Sequence, residues 1–296
     1  MSPMSTESEA VRERPILVGG TGRSGSTIVG HLLDHHRALA LTRPMEVRFL
    51  AGRFGLADAL HAQRIDPSSG PAAAQLAAQR IHDRWYHRAE DVGLHTSIAR
   101  EELTNMTDTY LAQFPIDALM ATRELARVIM ARVAPGPARW VDTTPANSRQ
   151  ADRMESIYPQ AQVVTVLRDG RDVAASFVQQ SFGPDDVFVA LQQWERRMLR
   201  IHVATMAARP SGVLTVDLMD LVSRDRASSV QAICDFLEVD LDPQMLEWFD
   251  HNVVATSAHP GRWRSQFDEE TARAVDRAYA EAVDRLSARG VHIPSE

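Results

Sequence analysis

The chain of 296 residues contains no lysine; all 32 of its basic residues are arginine. A phosphate loop of the triphosphatase kind uses a lysine to grip the β- and γ-phosphates, so that chemistry lacks its cation here. The all-arginine composition reads as a genome-wide bias, and no mechanism follows from it. Cys234 is the single cysteine, which excludes an internal disulfide framework and a thiolate-rich metal site and fits a reducing cytoplasm. No apolar run approaches membrane-spanning length. The opening MSPMSTESEAVRERP is polar and charged with no apolar h-region, so residues 1 to 14 read as a disordered leader and not a signal peptide. No Gly/Ser/Pro-rich linker divides the remainder, which reads as a single domain over residues 15 to 292. A net charge of −7 argues against a general nucleic-acid binder, while leaving room for local arginine clusters around a small anionic ligand.

What is present begins with VGGTGRSGST at residues 18 to 27. The phosphate-loop pattern runs from Gly20 to Gly25, and Ser26 stands where the lysine belongs. Residues 15 to 19 read as a short buried strand, and residues 26 to 36 carry apolar side chains at helical spacing. Strand, glycine loop and helix therefore follow in the order a phosphate loop needs. Its backbone amides and the helix N-terminus make a concave anion site, to which Ser24, Ser26 and Thr27 add hydroxyls. A transferring γ-phosphoryl group needs lysine and Mg²⁺, but a sulfuryl group carries less charge. Gly22, Gly25, the hydroxyls and Arg23 thus suit a phosphosulfate better than a triphosphate. A merely tight strand-to-helix turn would read the same way.

Strand character returns at residues 139 to 142, 162 to 167 and 212 to 216, with helices between. That alternation predicts an α/β, P-loop-type three-layer fold with a central parallel sheet flanked by helices. Residues 50 to 137 are Ala-, Leu- and Arg-rich and predict a helical insertion, broken near residues 66 to 71 and at Phe114-Pro115. After the strand QVVTVL comes RDGRDVAASF, in which Arg168 and Ser176 lie eight residues apart at a sheet edge and can converge on one phosphate. The alternative is a solvated ion-pair cluster of Arg168, Asp169, Arg171 and Asp172.

TGRSGST followed by RDGRDVAAS closely resembles the two nucleotide-binding signatures of the sulfotransferase family that uses 3′-phosphoadenosine-5′-phosphosulfate (PAPS). The resemblance implies that Gly22, Arg23, Ser24, Gly25, Ser26 and Thr27 hold the 5′-phosphosulfate, and that Arg168 and Ser176 hold the 3′-phosphate. HPGRWRSQF is similar to the family segment that completes the nucleotide site, which implies roles for Gly261, Arg262, Trp263 and Arg264. The basic pair before that glycine in cytosolic members is Thr256 and Ser257 here, and a family tyrosine is replaced by Leu218. The resemblance covers most of the chain but says almost nothing about residues 50 to 137.

Cytosolic members carry a lysine and a histidine in the tripeptide that here reads Thr143-Thr144-Pro145, so neither is present. The bacterial and Golgi-like branch places a glutamate after the phosphate-loop helix, and Glu46 matches that position. A surface ion pair with Arg43 or Arg48 is the alternative for Glu46; Asp142 and the pair His35-His36 are weaker base candidates. The reading is a metal-independent, cytoplasmic transferase that moves a sulfuryl group from PAPS to a hydroxyl or amine of a small-molecule, glycan or lipid acceptor. Glu46 acts as general base, and Arg23 and Ser26 stabilise the leaving phosphate oxygen. A phosphate-loop kinase and a nucleotide-binding protein without catalysis are the other readings. No nucleic-acid partner is expected. The insertion, which carries Phe54, Trp85, Tyr86, Met120 and Met130, is expected to form the acceptor pocket or its lid, with ordinary core packing as the alternative.

Overall fold

Side chains along a strand alternate between its two faces, and that period sorts the apolar runs into two layers. In β1 (Ile16–Gly20), Ile16 and Val18 pack to one side and Leu17 to the other. The same split recurs in β3 (Arg139–Asp142) between Val141 and Trp140, and in β4 (Gln162–Leu167) between Val164 or Val166 and Val163. The computed structural model describes residues 13–136 and 138–294, and Ser257 in its backbone alone. Most of the leader expected over residues 1 to 14 therefore lies outside the described residues, as does Pro137 at the end of the insertion.

With β2 (Leu39–Leu41) and β5 (Val213–Asp217), the strands form one five-stranded sheet in the order β2-β3-β1-β4-β5, every pair parallel. Helix α1 (Ser26–Asp34) covers the face bearing Ile16 and Val18, where its Val29, Leu32 and Leu33 are fully buried. Burial of each such side chain is worth roughly 1.5–3 kcal/mol. Four insertion helices cover the opposite face: α2 (Leu56–Ile65), α3 (Gly70–Arg80), α4 (Arg100–Gln113) and α5 (Ala118–Val133). They share that layer with α6 (Ala151–Ile157). Two helical breaks fall where the sequence places them, between α2 and α3 and between α4 and α5; a third, over residues 86–99 before α4, was not expected. Further along, α7 (Gly170–Phe177), α8 (Val187–Ala207), the short α11 (Arg262–Gln266) and α12 (Glu269–Ser287) pack together around Trp194 and Trp263. Between α8 and α11, α9 (Arg226–Leu237) and α10 (Pro243–Asn252) join α1 on its face.

The fold is the expected α/β sandwich, and strands β3 and β4 coincide with their predicted spans. Helix α1 ends two residues early, because the His35 and His36 amides turn back to Leu32 O and Leu33 O in a tighter i→i−3 pattern. Strand β2 was not predicted, since three residues are too few for an alternation signal. It forms because β3 offers it a partner, with Leu39 against Arg139.

Arg139 shows how the N-terminal edge of the sheet is closed. Its guanidinium is buried and donates to Leu237 O at 2.8 Å, to Arg14 O and to the Gln162 side chain. Burial pushes its pKa down to about 10, so it stays protonated at neutral pH. Arg139→Met should lower the unfolding free energy by about 2–4 kcal/mol, because those oxygens would lose a charged donor inside the protein. Urea denaturation measures this, and nucleotide affinity should stay unchanged because the opposite strand edge carries the site.

Candidate active site

A cavity of about 760 Å³ opens at the C-terminal edge of the sheet, and the loop after every strand reaches it. Gly22, Arg23 and Gly25 to Thr27 follow β1, Glu46 follows β2, Thr144 follows β3, Arg168 follows β4 and Leu218 follows β5. The chain leaves β1 toward β2 on one side and returns to β4 on the other, so the cavity lies at the switch point where open α/β sheets bind ligands.

The loop after β1 curls by taking left-handed backbone at Gly22 (φ 83°), Arg23 (φ 57°) and Gly25 (φ 102°). At Gly25 a Cβ would also fall 2.5 Å from Leu218 Cδ1, so this position needs glycine on two counts. No side chain caps α1, which leaves its first amides for a ligand. Two arginines on the insertion-facing side brace the loop through its carbonyls. Arg197 Nη1 donates to Thr21 O at 2.7 Å, and Arg149 Nη1 donates to Gly20 O at 3.1 Å. Burial, then Arg197 and Arg200, lowers the Arg149 pKa to about 10, and burial lowers that of Arg197. Ser26 and Thr27 line the cavity as expected. Ser24 does not: it is fully buried beneath the loop and its Oγ has no hydrogen-bond partner among the described residues. The glycine turn folds that side chain inward against Gly20, so Ser24 offers the cavity no hydroxyl.

The second motif meets the first directly. Arg23 Nε donates to Ser176 Oγ at 3.0 Å, and Arg168 Nη1 donates to Arg23 O at 3.1 Å, across 153 and 145 residues of sequence. Arg168 Nη2 donates to His259 O at 3.2 Å. The remaining charges of RDGRD are an ion-pair cluster, but a buried one. Arg171 is 4% exposed, pairs with Asp169 at 2.6 Å and lies over the rings of Trp263 and Tyr279. Asp172 accepts from the amides of Gly261 at 3.0 Å and Trp263 at 3.3 Å, fastening the C-terminal segment to the motif. That tether corrects the third group of expected contacts. Of the four residues, only Arg262 lines the cavity; Gly261 supplies a bend, Trp263 is buried and Arg264 covers its ring.

Glu46 lines the cavity beside Arg48, as the ion-pair reading anticipated. Arg48 Nε and Nη2 both donate to Oε2, and Arg88 Nη2 stands 3.9 Å from the same oxygen, which leaves Oε1 without a hydrogen bond among the described residues. Asp142 is fully buried outside the cavity, accepting from Val47 N at 3.0 Å, Thr144 Oγ1 at 3.0 Å and Asn147 Nδ2 at 2.8 Å. It therefore positions the backbone beside Glu46 and cannot reach a substrate. His35 stacks on Trp248 and His36 bonds Asp240 O, both away from the cavity. Sequence reasoning missed Arg149, Arg197, Arg80 and Arg84, which line the cavity from helical elements, and Arg88, which lines it from the loop beyond a π-helical turn; none belongs to a motif.

Residues 15–243 match the family model described as Sulfotransferase family. The chain belongs to the sulfotransferase family. No curated protein matches this sulfotransferase in sequence. Among solved structures it is similar to the sulfotransferase domain from the Synechococcus PCC 7002 olefin synthase, with 18% identity, a TM-score of 0.57, and 93% of this chain and 94% of that one covered. The sulfotransferase domain from the curacin biosynthetic pathway aligns at 14% identity and a TM-score of 0.55, covering 95% and 99%. STF9 from Mycobacterium avium aligns at 16% identity and a TM-score of 0.52, covering 99% and 81%. At these identities the likeness is one of fold. Among the described residues, no helix is long and apolar enough to cross a membrane.

Burial raises the Asp142 carboxyl from 3.8 to about 6, against its hydrogen bonds from Asn147, Val47 and Thr144. The folded enzyme therefore binds this proton more tightly than the unfolded chain, and the contribution is lost as pH rises from about 4 through 6. Relative to Asp142→Asn, the parent should lose about 2–3 kcal/mol of unfolding free energy across that window. Chemical denaturation of both forms at several pH values reads the difference, and parallel pH profiles would contradict it.

Proposed function

We propose that this sulfotransferase moves a sulfuryl group from PAPS to a hydroxyl or amine acceptor, with Glu46 as general base. The observation that carries the reading is the contact of Arg23 with Ser176, which joins the two motifs into one anion site at the cavity that Glu46 also lines. PAPS supplies the reactive sulfuryl group and two phosphates for recognition. Ser26, Thr27 and the first amides of α1 hold the 5′ end, and Arg168, Ser176 and Arg262 hold the 3′-phosphate. Arg23 uses Nε on Ser176 and has both Nη groups left for phosphate oxygens, in the fork geometry that suits them.

Glu46 Oε1 takes the acceptor proton as the acceptor oxygen or nitrogen forms its bond to sulfur. The bond from sulfur to the bridging phosphate oxygen breaks, and Arg23, Ser26 and the loop amides stabilise the charge left on that oxygen. Arg48 keeps the Glu46 carboxylate turned to one rotamer through its two donors. The insertion supplies the acceptor wall, since Gly52, Arg53, Arg80, Arg84, Trp85 and Arg88 all line the cavity. Trp85 is the one expected apolar residue to do so. Met130 is buried in the core, Met120 is exposed at the surface, and Phe54 and Tyr86 also lie off the cavity.

Two measurements test the reading. The product nucleotide 3′-phosphoadenosine-5′-phosphate (PAP) should bind about ten- to a hundredfold more tightly than 5′-AMP, and Arg168→Ala should abolish the difference. Equal affinity for the two in the parent, or preferential stabilisation by ATP with Mg²⁺, would refute the donor assignment. Glu46→Gln should retain PAP affinity while PAPS turnover falls by on the order of a hundredfold or more. Undiminished turnover would remove Glu46 from the chemistry.

A further inference from the structure

Ten of the residues lining the cavity are arginines, and Glu46 is the one acid among the described lining residues. Most of these guanidiniums are held by the protein. Arg48 is on Glu46, Arg23 on Ser176, Arg262 on Gln179, and Arg149, Arg168 and Arg197 on carbonyl oxygens. Arg53, Arg80 and Arg84 differ. Among the described residues, none gives them a hydrogen bond or an ion pair; Arg53 and Arg80 only rest on the Phe54 ring, at 4.7 and 5.3 Å.

The backbone presents these groups deliberately. Helix α3 passes at Ile81 into a π-helical turn, Ile81–Trp85, closed by Tyr86 N donating to Ile81 O at 2.8 Å. Such a turn widens the helix and is frequent at functional sites. Here it brings Arg80, Arg84 and Arg88, spaced by four residues, to one cavity wall together with Trp85. The row begins at the proposed base, because Arg88 Nη1 donates to Glu46 O at 3.4 Å. Clustered cations without counter-charges repel one another and cost stability, so a wall of this kind is built for an anion that arrives with a ligand. The donor's phosphates and sulfate are claimed by the loop amides, Arg23 and Arg168 across the cavity.

We propose that the acceptor itself is anionic, carrying a carboxylate, phosphate or sulfate group that Arg80 and Arg84 bind with help from Arg53, while its hydroxyl or amine faces Glu46. This rests on the sulfuryl-transfer reading and narrows its substrate class. The insertion then selects among acceptors by charge, and a neutral acceptor would leave three guanidiniums unpaired beside the reacting group.

The test uses the full chain saturated with PAP, so that the donor-end cations are occupied, and titrates citrate and pyrophosphate separately by calorimetry. At least one should bind at a second saturable site, and which one distinguishes a carboxylate from a phosphate group. The double variant Arg80→Gln/Arg84→Gln should weaken that binding by about tenfold or more while PAP affinity stays within about twofold, and Arg80→Lys/Arg84→Lys should recover most of it. Hydrogen exchange should show protection of amides over residues 80–88 when the probe binds. No second site in the PAP-saturated parent, equal binding in the Gln pair, or protection confined to other segments would overturn the proposal. PAP affinity is read in the same experiments, so failure of the donor reading appears as lost PAP binding, whatever the second anion does.

Discussion

Arg149 and Arg197 share one feature on which the site depends: each guanidinium is held by a main-chain carbonyl oxygen, and Arg168 adds two more such bonds beside its 3.8 Å pairing with Asp172. A carbonyl fixes the direction of a cation without cancelling its charge, whereas a carboxylate does both. The loop after β1 thereby has its carbonyl side tied down by positive groups while its amides face the cavity. Its left-handed residues would otherwise be a strained and mobile turn. The arrangement concentrates positive potential in a partly buried cleft of low effective dielectric, where a bound oxyanion gains most.

The kind of partner separates the arginines by role. Arg171 is held between Asp169 and Asp276, and Arg153 pairs with Asp58; both are neutralised and act as scaffold. Among the cavity arginines, Arg48, Arg88 and Arg168 lie within 4 Å of a carboxylate oxygen, of Glu46 for the first two and of Asp172 for the third; the others have carbonyl, hydroxyl, amide or ring partners, or none among the described residues. The same logic divides the sheet along its strands. At the N-terminal edge, each guanidinium nitrogen of Arg139 donates to a backbone carbonyl or to Gln162, and the residue serves cohesion. At the C-terminal edge, Asp142 secures Val47 and Thr144 so that the loops after β2 and β3 stay together, which keeps Glu46 in the cavity with Thr144 beside it.

Much of this was legible in the chain because the information is local. Strand, glycine turn and helix are contiguous at residues 16–34, and the second motif lies directly after a strand, so their element types follow from periodicity and turn chemistry. Placing Arg23, Ser26, Arg168 and Ser176 at one sheet edge needed only the parallel topology. Ser24 misled because a hydroxyl in a phosphate loop looks the same in sequence whether it faces the ligand or lies under the turn. Gly261, Trp263 and Arg264 misled for a related reason: their neighbour Arg262 faces the cavity while they are occupied with Asp172 and with one another.

The amino-acid order by itself determined the fold class, the two glycine- and arginine-bearing motifs and the absence of a phosphate-loop lysine, since each depends on residues close together in the chain, while Glu46 was singled out by the family resemblance. Only the tertiary structure decided which charges remain available. Whether an arginine meets a carboxylate, a carbonyl or no partner depends on neighbours tens to hundreds of residues away. The row Arg80, Arg84 and Arg88 is an ordinary helical spacing until the π-helical turn and the packing of the insertion bring it to the cavity of the first loop.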